Sequence, residues 1–394
     1  MPPRTVLLAV LALALAPSAA SAASWSVPQA LTRSGDVFQP ALANGTNGGV
    51  AVAYLRQLGS TTRTELRNGT LRGTLRAPVV LDSSTHAIFD PAVAINFDGR
   101  SVVAWRRYFD GNHRVRATSV RRDGRVGSVK QLSGGGESAY EPVFPPSADG
   151  QVYLTWPRRT FGQFVPFAGG VFQPFTSSAG AAIGNEPVAA IDATGAIVLV
   201  WESGGKIMSA TGRPGGSFSA PAQLAAGHAP QATVLREGTV VAAWHSDSGI
   251  VAAARPSGGA FGAAVTVATG TTLAMHVIAS AAGEVMVAYV DPARHLWLQR
   301  LTPALARVGS PFDLAPGQQT VDAALARDPS AVFVSWSERE SGAIHVRRLA
   351  PGGIFGSIRT IAPRSLLRGH PPATAAGAVA WVNGGGTLLM SRYR

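Results

Sequence analysis

The chain has 394 residues with no cysteine, a formal charge of +12, 45 glycines and 27 prolines. The missing thiols exclude a disulfide framework, a thiolate metal site and a lipid-linked cysteine. The turn formers, with no long amphipathic stretch after residue 24, exclude a mainly helical fold. The positive excess, nearly all of it Arg, suits an anionic partner, and its dispersion also suits a solubilising surface.

Residues 1–23 read as a secretory signal peptide. Arg4 supplies the positive start, Val6 to Ala16 the apolar stretch, and Ala20-Ser21-Ala22 the small-residue cleavage site. The stretch is short for a membrane span, and no other run approaches about 18 uncharged apolar residues. The mature chain, 24–394, is expected to be one exported domain, secreted or at the cell-envelope exterior, monomeric and without a membrane span.

From Trp25 onward the chain repeats. Trp25-Ser26-Val27-Pro28-Gln29-Ala30-Leu31 carries the fourth-strand pattern that ends most later units, blurred in the third. Each unit then shows an apolar run closed by an aromatic residue: Tyr54, Trp105, Trp156, Trp201, Trp244, Tyr289, Trp336 and Trp381, 43 to 51 positions apart. A period near 45 built from short strands predicts a β-propeller with one four-stranded antiparallel blade per unit. Pro40, Pro91, Pro142, Pro187 and Pro230 open the first strand, where a missing N–H is tolerated. Gly48, Gly99, Gly150, Gly195, Gly238 and Gly283 close the turn to the second. Second strands such as Ile197 to Trp201 are apolar at every position, as buried inner strands are. A third strand (Arg114 to Val120, Ile344 to Leu349), a glycine-rich turn and a fourth strand (Phe218 to Leu224, Phe355 to Ile361) complete the unit.

The third unit departs most from the pattern. Phe161, Phe164, Phe167, Phe172 and Phe175 crowd it beside Arg158 and Arg159. These rings read as filling a widened blade core, with a stacking surface for sugars or bases as the other reading. At the C-terminus, Pro371 to Arg394 supplies three strands and no fourth, so the strand at Trp25 to Leu31 is expected to complete an eighth blade; seven blades with an odd hairpin is the alternative.

Motif searching finds no nucleophile elbow, P-loop, zinc-protease or calcium-loop signature, and the eight His residues are scattered. No cofactor, metal or specific nucleic-acid partner is indicated. Topology instead locates the candidate site. In an up-and-down blade the loop entering the first strand shares a face, here called the top, with the loop after the second. Asp90, Glu141 and Glu186, each just before a repeat proline, therefore come from consecutive blades onto one rim, with Arg106 and Arg158 on the same face further out. Converging carboxylates are reactive, cation-binding or neutralised by Arg. Two functions follow: a non-catalytic scaffold binding a glycan or protein on its top face, or a carbohydrate-active hydrolase or lyase using the rim carboxylates.

The repeated units, such as Val102-Val103-Ala104-Trp105, and turns such as Gly258-Gly259-Ala260-Phe261-Gly262 resemble exported β-propeller repeat proteins of GC-rich actinobacteria. These fall within the sialidase-like propeller superfamily in the loose sense. The likeness spans the mature chain and implies blade architecture. The sialidase Asp-box is not matched: Asp149 stands seven positions before Trp156, in the turn between first and second strands.

Overall fold

The computed structural model describes residues 24–32, 36–45, 47–158, 162–174, 176–177, 185–328, 330–350, 353–364 and 372–393. The expected signal peptide, Arg159, Phe161 and Phe175 lie outside these residues, as do the side chains of 185, 186 and 328. The described strands form eight antiparallel sheets arranged as the blades of a propeller, and no helix occurs among the described residues.

Blade 1 shows how the repeat becomes structure. Asp36–Asn44 runs beside the axis and pairs with Gly49–Leu58, which pairs with Thr61–Thr70 and then with Val79–Ser84 at the outside. Gly48, at φ +73°, closes the first turn, and the five sibling glycines have the same left-handed backbone. The inner strand of blade 1 lies against those of both blade 2 and blade 8, closing the ring.

The eight aromatics are buried, from 0 to 9 % exposed, each packed between its own blade and a neighbour. Their polar atoms are handled differently. The Trp105 indole donates to Asp82 at 2.9 Å and Trp156 to Gln163 at 2.8 Å, whereas the buried Nε1 of Trp201 and Trp244 has no acceptor.

The chain ends share blade 8, as expected. Gln29 pairs with Met390 and Ala30 with Leu389, Trp25 bridges Tyr393, and Ser26 N–H donates to the Arg392 carbonyl at 2.7 Å. Trp25 also packs edge-on against Phe333 of blade 7 and Tyr393, at 5.9 and 5.7 Å between ring centroids. The seven-blade alternative is thereby set aside.

Two expectations need correction. Several fourth strands begin later than the pattern, as in blade 4, where the strand is Ala222–Ala226 and not Phe218 to Leu224; that of blade 6, Arg307–Asp313, does not. The early residues make single bonds across the turn, such as Gly127 N–H to the Ser119 carbonyl, before a regular ladder begins. Blade 3 lacks a regular inner strand. Pro142, Pro145 and Pro146 offer no N–H, so only Val143 pairs with Thr155, and the chain then crosses to blade 4 through a Ser147–Ile191 bridge. The aromatic-rich segment does fill a core: Phe164 and Phe167 are buried, and Phe172 packs on Phe167 at 5.0 Å.

Candidate functional site

The repeat proline does not open the first strand, contrary to expectation, but sits inside it, within a bulge. Pro40 lies in Asp36–Asn44, Pro91 in Ile88–Ile95, Pro187 in Asn185–Ile191 and Pro230 in His228–Val234, because a bulge leaves a residue without a ladder donor to supply. Register shifts fall between Phe38 and Ala41, Phe89 and Ala92, Asn185 and Val188, and His228 and Gln231. In blades 1, 2 and 5 the residue just before the proline is left-handed although it is not glycine: Gln39 at φ +48°, Asp90 at +49° and Ala229 at +46°. Such a backbone costs on the order of 1–3 kcal/mol and persists only where its surroundings impose it.

At Asp90 those surroundings are visible. Arg106, its cross-strand neighbour at one remove, closes on Asp90 Oδ2 through both Nε and Nη2. From blade 1, Gln39 Oε1 accepts the Asp90 N–H at 3.0 Å, and Gln39 Nε2 reaches Oδ1 at 3.5 Å. Arg106 also lies over the Phe89 ring at 5.7 Å. His113 packs edge-on between Phe89 and Tyr108, with centroids at 5.5 and 5.4 Å. Burial, then the Arg106 charge, holds its imidazole below the ordinary value, and Asp90 opposes.

Glu141 joins the same field from blade 3. Its side chain is exposed, yet the protein around the channel mouth displaces enough water to raise its carboxyl above the ordinary glutamate range. Asp90 pushes the same way and Arg106 opposes, so Asp90, Arg106 and Glu141 act on one another across two blades. The backbone of Glu186 sits at the equivalent bulge of blade 4, next to Asn185, which pairs with Glu202.

Arg158 lies elsewhere. It is buried, donating to Gln163 Oε1 and the Glu137 carbonyl at 2.8 Å each and to the Gly134 carbonyl. Burial lowers its guanidinium from the ordinary value, and the side chain ties the 134–137 loop to blade 3 instead of reaching the rim. Sequence reasoning also missed Gln39 as a partner of Asp90. The signal was present: both occupy the position before the repeat proline, one unit apart.

Among the described residues no group of three or more His, Asp or Glu is arranged to hold a metal ion. No described helix is long and apolar enough to cross a membrane.

No protein-family model matches the chain, and no curated protein matches it in sequence. Solved structures do match in fold. The Dos1 propeller aligns at a TM-score of 0.58 and 11 % identity, over 94 % of this chain and 95 % of that one. The WD40 domain of SCAP from fission yeast aligns at 0.54 and 9 %, over 93 % and 97 %. A puromycin-hydrolyzing peptidase of Mycobacterium tuberculosis aligns at 0.55 and 14 %, over 91 % of this chain but only 61 % of the peptidase. At such identities the likeness is one of architecture, and the chain is an eight-bladed β-propeller similar in fold to these structures.

Proposed function

We propose that the protein is an exported, non-catalytic binding propeller that recognises a glycan or a protein with its top face, around the channel mouth. The observation that carries this reading is the seat of Asp90, a strained backbone gripped by Arg106 on its carboxylate and by Gln39 of the next blade on its amide. Strain of this kind gathers at ligand sites. The same face exposes Tyr108, Phe109 and Tyr140, at 40, 51 and 48 %. Such rings stack on sugars or anchor protein partners. Glu141 adds a carboxylate with no ion-pair partner among the described residues.

The Asp90 carboxylate is neutralised by Arg106 instead of poised as base or nucleophile, which favours binding over turnover. The raised carboxyl of Glu141 favours the second reading, a carbohydrate-active hydrolase or lyase, because a shift toward the protonated form is what a general acid needs. The leader-like residues 1–23 and the resemblance to exported actinobacterial propellers support export. The charge of +12 favours an anionic glycan or an acidic protein surface. One ring holds the whole cluster, so a monomer suffices, and no cofactor is required. Calorimetric titration of residues 24–394 against glycan and extracellular protein panels, with product analysis, tests the proposal. Saturable binding without product supports it, product formation moves the site to the second reading, and silence across both panels rejects both.

A further inference from the structure

The irregular course of blade 3 leaves a space beside it. Where the sibling blades carry an inner strand, residues 143–146 swing from blade 3 toward blade 4. Behind them, between blades 3 and 4 and reaching the inner strand of blade 5, lies a cavity of about 410 Å³. That volume is in the range of small-ligand pockets, about 300–1,000 Å³.

The side chains of the walls are mainly apolar. Pro145, Pro146, Pro157, Pro187 and Pro230 contribute ring surface, and Phe144 and Phe164 contribute aromatic surface. Only Thr155 and Gln231 bring polar side-chain groups to the described lining, and Gln231 is already committed: its amide donates to the Met275 carbonyl at 2.6 Å and accepts from Val277 N–H at 3.1 Å. Prolines offer no N–H. The backbone polar groups of Val143 and Thr155 satisfy each other, the Pro146 carbonyl accepts from Ile191, and the Pro157 carbonyl accepts from Tyr140.

We infer that this cavity is a binding site for an aromatic ring. A sugar placed there would set most of its hydroxyls against proline and phenyl carbons, which cannot hydrogen-bond to them. An apolar group meets no such mismatch. Proline rings and phenyl groups have little rotamer freedom, so a rigid ring is held with little ordering of the walls and makes dispersion contacts with the faces turned to them. The ring can belong to a free aromatic compound or to a Trp, Tyr or Phe side chain of a peptide. This site is separate from the Asp90 cluster and does not depend on its function.

The mouth offers a safe lever. Val143 lines the cavity yet is 48 % exposed, so Val143→Trp fills the space without disturbing a buried contact. The test is saturation-transfer NMR on the full mature protein with indole, the tripeptide Gly-Trp-Gly and methyl glucoside as probes. Indole is expected to bind saturably and methyl glucoside not at all. Val143→Trp is expected to weaken indole at least tenfold with an unchanged melting temperature. Thr155→Val, which removes a polar side-chain group from the wall, is expected to leave indole binding equal or tighter. Asp90→Asn is expected to leave it unchanged. Gly-Trp-Gly binding alongside indole assigns the ring to a peptide side chain, and indole alone assigns it to a small molecule. Absence of saturable indole binding, equal affinity in Val143→Trp, or loss through Asp90→Asn alone would overturn the inference.

Discussion

Gln39 and Asp90 stand 51 positions apart in the chain and one blade apart in space, and they hold each other through a 3.0 Å bond from the Asp90 amide to the Gln39 side chain. Both have left-handed backbones near φ +48°. Each lies at the bulge before a repeat proline, so the same local distortion recurs around the rim, and in blades 1 and 2 it has been turned into an interblade tie.

Ala229 shows the distortion without the tie, because its side chain can make no hydrogen bond, and so it reports the backbone cost alone. Ala229→Gly is expected to keep or raise stability, within about 1 kcal/mol, because glycine adopts φ +46° freely but loses more entropy on folding. Ala229→Val is expected to lose about 1–3 kcal/mol. Urea unfolding of both variants measures the difference; a more stable Val variant would rule out strain at this bulge.

The aromatic ring of tryptophans separates packing from hydrogen bonding. Trp201→Ala should cost about 3–5 kcal/mol through lost packing. Trp201→Phe should cost less than Trp105→Phe, because the Trp201 indole nitrogen has no acceptor while Trp105 donates to Asp82, a carboxylate that also binds Arg107 and Arg116. Equal losses in the two Phe variants would show that the Asp82 bond contributes nothing net.

Closure by the N-terminal strand is equally open to test. Trp25→Ala removes a ring that packs on both Phe333 of blade 7 and Tyr393 of blade 8, which also touch each other. Deleting residues 24–32 also exposes the Leu388–Arg392 edge. The substitution is expected to lower the melting temperature, and the deletion to lower it further and promote aggregation through the bared edge. Unchanged melting and light scattering after the deletion would contradict the closure.

Stability should fall as the solution is acidified from pH 7 toward 5. Burial is the leading cause holding His113, His245 and His345 below the ordinary imidazole value near 6.5, so the unfolded chain binds protons first and folding weakens between that value and the lower folded ones. Glu141, raised in the folded state, works the other way but is one exposed group. Thermal melts across this range check the sign, and His245→Gln should flatten the slope. A melting temperature that rises on acidification would contradict the assignment.

What could be read from the sequence was what local physics repeats. Aromatics ending the apolar runs of second strands, glycines at left-handed turns and prolines in the inner strands recur in phase, so blade count and closure were legible. The place of those prolines inside a bulge was not, because it depends on the register of the second strand. Blade 3 broke the pattern through Pro145 and Pro146, which sit beside the regular Pro142 and remove ladder donors; the signal was visible, but the crossing to blade 4 depends on a partner strand more than 40 positions away. The fate of Arg158 was not legible at all, because the carbonyls of Gly134 and Glu137 that bury it belong to an irregular loop. The late start of several fourth strands was hidden for a similar reason: the repeated pattern marks the turn crossing as well as the ladder.

The most direct test of the top-face proposal is the affinity of an Asp90→Asn, Glu141→Gln, Glu186→Gln triple variant for whichever ligand the panels identify, measured by calorimetry on protein that melts like the parent. Removing these charges frees Arg106 from its counter-charge and takes away the negative charge of Glu141 beside it. The account predicts at least a tenfold loss of affinity. Full affinity in the folded triple variant would contradict it and place recognition away from the rim.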